Sequence, residues 1–99
     1  MNLSKEIIDD IRKLCVLHKV ESLYLFGSAL KDNLREDSDY DFVVSFKHME
    51  LESYPDNYFS LKFAIHDLLK RDIDLLEKQA LNNPYLIKSI DNSKVLIYG

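Results

Sequence analysis

Asp39 and Asp41 stand two residues apart, directly before the apolar run Phe42-Val43-Val44. Residues two apart on a strand face the same way and lie about 7 Å apart, so the pair presents two carboxylates side by side where a strand begins. Like charges held that close raise one another's pKa and weaken a fold. A pair of Mg²⁺ ions about 4 Å apart turns the same repulsion into ligation, and that is the chemistry these residue types suggest. A third carboxylate would complete the site. Asp74, within Arg71-Asp72-Ile73-Asp74-Leu75-Leu76, is the acidic residue centred in another expected strand. If the two strands are neighbours, about 4.8 Å apart, the three side chains meet. Asp72 shares the face of Asp74 and is its rival, but apolar residues flank Asp74 on both sides.

Upstream, Gly27-Ser28 follows the β-prone run Ser22-Leu23-Tyr24-Leu25-Phe26. A glycine after a strand lets the backbone come close to a phosphate, and N–H groups at the start of a following helix, with a serine hydroxyl, hold a triphosphate. Alone, a Gly-Ser pair is usually a turn or a cap. Here it belongs to a longer order: strand, Gly-Ser, about ten residues, Ser38-Asp39-Tyr40-Asp41, apolar strand.

The elements that must position these residues follow from periodicity and caps. Ser4 caps a helix over residues 5–18, with Leu3 and Ile8 placed as a hydrophobic staple and Ile7, Ile11, Leu14 and Cys15 at helical spacing. A strand over 22–26 ends at Gly27. A short helix or turn over 28–33 and a polar loop over 35–38 lead to a strand over 40–46. Pro55-Asp56-Asn57 marks a loop before a helix over 58–70, whose core stripe is Leu61, Ile65 and Leu68, flanked by Phe63, Ala64 and Leu69. A short strand spans 73–76. Asn83-Pro84 starts a helix over 84–91, and Val95 to Tyr98 forms a last strand. The sum is an α/β (α+β) chain, a small mixed β-sheet of three to five strands packed with helices, read as one domain over residues 1–99.

Composition limits the function. The 99 residues, 46% of them apolar, can bury one modest core. The formal net charge is −4 with scattered Lys and Arg, which argues against a grip on a long nucleic acid. No stretch approaches the roughly 20 apolar residues of a membrane span, and the N-terminus lacks the apolar segment of a signal peptide. The expectation is a soluble cytoplasmic protein. Its single cysteine, Cys15, can form neither an intramolecular disulfide nor a cysteine zinc site and reads as core. His18, His48 and His66 share no metal-ligand spacing. Tyr24, Phe26, Phe59 and Phe63 read as core aromatics, and Tyr40 as a packing residue facing away from the two aspartates.

The Gly27-Ser28 and Asp39-Tyr40-Asp41 arrangement, with a later strand carboxylate, resembles the DNA polymerase β-like nucleotidyltransferase superfamily. More narrowly it resembles the minimal nucleotidyltransferase (MNT) group, commonly the antitoxin partners of HEPN-domain toxins. The resemblance covers most of the chain and centres on residues 24–44. It implies a polymerase β-like nucleotidyltransferase fold, metal binding by Asp39, Asp41 and Asp74, and nucleotide binding by Gly27, Ser28, Lys31 and Ser38. It further implies two Mg²⁺ ions and ATP as substrate, with AMP passed to a hydroxyl, typically tyrosine, on a HEPN toxin. The family's usual Ala-Arg-Gly after Gly-Ser-x is absent: Ala29-Leu30-Lys31-Asp32 stand here, and Lys31 replaces the arginine's charge without its bidentate geometry. Arg35 falls where a further basic residue is common. Two other functions fit the same residues: an antitoxin that silences its partner by binding alone, and an antibiotic-type nucleotidyltransferase acting on a small molecule.

Overall fold

The computed structural model describes residues 3–27 and 39–99. Residues 28–38 hold the expected short helix and loop and the nucleotide-binding candidates Ser28, Lys31 and Ser38; all of these lie outside the described residues, as does Arg35.

Helix α1 spans Lys5–Leu17, with the Ser4 side chain accepting from the Ile7 N–H at 3.3 Å. Its apolar residues recur on one face, so Ile11 and Cys15 are fully buried and Ile7, Ile8 and Leu14 pack around them. Burying a side chain such as Ile11 stabilises the fold by about 1.5–3 kcal/mol. Strand β1 spans Val20–Phe26 and starts two residues earlier than its sequence pattern suggests. The charged Glu21 interrupts the β-prone run, but its neighbour Val20 is fully buried and pairs with Phe46. Strand β2 is Tyr40–Phe46, β3 Ile73–Glu77 and β4 Val95–Tyr98.

Helix α2 spans Tyr54–Leu69 and begins four residues before its expected start at residue 58. The loop expected at Pro55-Asp56-Asn57 is instead its first turn, where a proline's missing N–H has no helical partner to lose. Asn57 donates from Nδ2 to the His18 carbonyl at 2.7 Å, tying this turn to the end of α1. The core stripe is Leu61 and Ile65, with Leu68 and Leu69 beside it. Phe63 was expected to flank that stripe and Phe59 to be core, yet they are 61% and 49% exposed. At 100° per residue, positions 59 and 63 fall opposite 61 and 65, so apolar type alone misassigns them. The two rings stack on each other at 6.2 Å.

After β3 comes a 3₁₀ turn, Lys78–Ala80, and then α3, Pro84–Ser93, capped by the Asn83 side chain, which accepts from the Tyr85 and Leu86 N–H groups. The four strands form one mixed sheet in the order β3-β2-β1-β4, with β2 and β3 parallel and the other pairs antiparallel. One face, carrying Leu23, Leu25, Tyr40, Phe42, Val44, Ile73 and Leu75, forms the core with α1 and α2. The opposite face carries Asp41 and Asp74. No helix among the described residues is long and apolar enough to cross a membrane.

Candidate active site

Alternation along β2 puts Tyr40, Phe42 and Val44 into the core and turns Asp41 to the other face, where it is only half-buried. Tyr40 packs as expected, stacked against Phe42 at 6.5 Å with the Arg71 guanidinium over its ring. In the parallel β2–β3 ladder, Asp41 is the register partner of Asp74, with Tyr40 opposite Ile73 and Phe42 opposite Leu75. Asp39 lies one residue before β2. The topology therefore brings the three expected carboxylates to one rim of the sheet.

Electrostatics registers their proximity. The Asp41 carboxyl is pushed above the ordinary carboxylate range by burial first, then by the charge of Asp74 and by that of Asp39. The rival Asp72 is turned away: its side chain is 84% exposed and meets His66 Nε2 at 3.4 Å, while its carbonyl accepts from the Tyr40 N–H.

Gly27 lies against Asp41. It follows Phe26, the β1 residue paired with Asp41, and has φ +81°, a left-handed conformation that favours glycine. A Cβ built there would lie 2.5 Å from Asp41 Oδ2. Backbone and carboxylate are thus packed so closely that a Cβ fits only if the Asp41 carboxylate moves.

Three carboxylates supply an all-oxygen donor set suited to a hard ion such as Mg²⁺, and the mutual repulsion felt by Asp41 is what a cation would relieve. Among the described residues, no three His, Cys, Asp or Glu side chains are already gathered tightly around one ion position. Asp39, Asp41 and Asp74 share a rim, and their side chains have to rotate toward a common point to share a metal. The histidines lie elsewhere: His18 bonds to the Leu14 carbonyl and Ser60 Oγ, His66 sits between Asp67 and Asp72, and His48 is exposed.

The mixed sheet thus presents carboxylates on adjacent parallel strands beside a glycine turn. The chain belongs to the polymerase beta nucleotidyltransferase family, whose model matches residues 9–99. It is 36% identical over 101 residues to "Putative protein adenylyltransferase MJ0128" of Methanocaldococcus jannaschii, an alignment covering 98% of this chain and all of that protein. A solved structure described as "Structure of putative minimal nucleotidyltransferase" superposes with a TM-score of 0.77 at 25% identity, covering 92% of this chain and 89% of the other. The fold is shared at 19% identity and a TM-score of 0.68 with a structure of the tri-AMPylated Shewanella oneidensis HEPN toxin in complex with MNT antitoxin, covering 98% of this chain and 73% of that one.

Proposed function

We propose that this protein is the adenylylating antitoxin of a HEPN-type toxin, transferring AMP from ATP to a hydroxyl, tyrosine by preference, on that partner. The observation that carries the reading is the Asp41–Asp74 register pair, with Asp39 beside it and Gly27 against the Asp41 carboxylate. Family membership supports nucleotidyl transfer, and the names of the relatives support a protein as acceptor. The HEPN partner is suggested by the toxin–antitoxin complex that shares this fold.

Bound Mg²⁺ would screen the triphosphate's charge and make the acceptor oxygen a better nucleophile. Asp39 and Asp41 would hold the metal, with Asp74 on the acceptor side. Gly27 and Ser28 would bind the phosphates through backbone N–H and hydroxyl groups, helped by the charge of Lys31 and by Ser38. The acceptor oxygen attacks the α-phosphorus; the new O–P bond forms as the bond to the bridging oxygen breaks, and pyrophosphate leaves. Asp74 takes up the acceptor's proton.

The test uses the product of the gene beside this one as acceptor, incubated with this protein, Mg²⁺ and ATP labelled at either the α- or the γ-phosphorus. Transfer of α-label alone is the expected result. Transfer of γ-label would make the reaction a phosphorylation, and inhibition of the toxin with neither label would leave an antitoxin that acts by binding.

A further inference from the structure

Among the described residues β3 is an edge strand with β2 as its one neighbour in the sheet, yet it must hold Asp74 level with Asp41. An edge strand with a single ladder is prone to slip or fray, and a one-residue slip would turn Asp74 to the other face. What holds it comes from α2. The Tyr58 hydroxyl donates to the Leu75 carbonyl at 2.5 Å, the residue directly after Asp74. One helical turn earlier, the Tyr54 hydroxyl donates to Glu77 Oε2 at 2.6 Å. The two tyrosines thus fasten β3 at two points to a helix that is itself anchored in the core by Leu61 and Ile65. Both rings pack on the core, and Tyr54 meets Phe46 edge-on at 5.3 Å, so their hydroxyls are delivered by rigid side chains. Both phenols are raised above the ordinary tyrosine range, burial being the largest cause, with Glu77 adding to each and Asp74 to Tyr58. They therefore stay protonated, as donors must.

We propose that Tyr58, assisted by Tyr54, is a positioning residue for Asp74: the α2–β3 clamp fixes the third carboxylate at the height where it can work with Asp39 and Asp41. This rests on the adenylyl-transfer reading of those carboxylates. Tyr58 touches neither substrate nor metal in this scheme; it acts through the backbone of β3.

The test compares the full-length Tyr58→Phe variant, which keeps the ring and loses the donor, with wild type and with Leu14→Ala, a core change on α1. Each is measured well below its melting temperature. Tyr58→Phe is expected to lower kcat for AMP transfer about tenfold or more, since small misplacements of reacting groups are costly. KM for ATP should stay within about twofold, while Leu14→Ala loses stability and keeps kcat. Amide hydrogen exchange at Asp74 and Leu75 should quicken in Tyr58→Phe and not in Leu14→Ala. An unchanged kcat in an active protein, or unchanged exchange on β3, overturns the clamp. If wild type transfers no AMP, the functional reading fails, and kcat then tests nothing; Mn²⁺ affinity, read by electron paramagnetic resonance, decides instead. Weaker Mn²⁺ binding by Tyr58→Phe supports the positioning of Asp74, and equal binding overturns it.

Discussion

At the scale of single residues, the site combines a destabilised carboxylate with a glycine in a left-handed conformation packed against it. Asp41 is raised above its ordinary range by burial and then by Asp74 and Asp39. For a group whose folded pKa is raised, the stabilising contribution is fully present below the ordinary carboxylate value and is lost as pH rises through the raised one. Ionised Asp41 is therefore a cost to the metal-free fold at neutral pH. Asp41→Asn should raise the melting temperature of the metal-free protein at pH 7 by a few degrees and flatten its pH dependence between those two values, while removing most of the stabilisation that Mg²⁺ confers on wild type. Calorimetry across pH, with and without Mg²⁺, checks this; a melting temperature lowered by the substitution would oppose it. Gly27→Ala should act differently. The added Cβ meets a side-chain oxygen that can swing away, so the folding penalty comes mainly from the φ of +81° and amounts to about 1–2 kcal/mol. Activity should drop about a hundredfold, because the displaced atom is the Asp41 carboxylate. Parallel urea melts and rate assays would separate the two effects, and equal activity with the methyl in place would show that the close approach has no role.

At the scale of elements, β2 and β4 match their sequence patterns at both ends because each is a short apolar run with clear boundaries. α2 does not, since Pro55 reads as a breaker when it is really a first-turn residue. Phe59 and Phe63 show the limit of composition within a helix: residue type says apolar, and only the angle from Leu61 and Ile65 says outward. The pairing of β3 with β2 was legible only as a condition. Which strands are neighbours depends on how the α2 crossover returns the chain, and no local pattern encodes that. α1 offers a direct check on its own packing. Cys15 is fully buried and its thiol is pushed up to about 12 by that burial, so the thiolate is scarce and shielded. A thiol reagent at pH 8 should label the native chain only as fast as it unfolds and label it at once in denaturant; stoichiometric labelling of native protein within minutes would contradict the packing.

At the scale of the whole molecule, the fold makes a division between its two faces. α1, α2 and the core-facing residues of the sheet supply the main core, and the opposite face, where Val43 and Ile90 of α3 are also buried, gathers charge from β2, β3 and the segment entering β2 at one rim. Asp39, Asp41 and Asp74 could be nominated from type, spacing and flanking apolar residues because carboxylates at the start of buried strands are expensive without a purpose. The register that joins Asp41 to Asp74, the approach of Gly27 and the tyrosine clamp could not be read that way, since each depends on contacts across the sheet or between helix and edge. Adenylyl transfer requires the rim to be chemically active toward a partner. The most direct measurement is the intact mass of the neighbouring gene's product, the proposed partner, after incubation with this protein, ATP and Mg²⁺, set against the same mixture with Asp39→Ala/Asp41→Ala. Adenylyl transfer predicts a mass gain of one or more AMP units, accompanied by loss of toxin activity, with wild type only. A toxin silenced equally by both forms, with its mass unchanged, would contradict it.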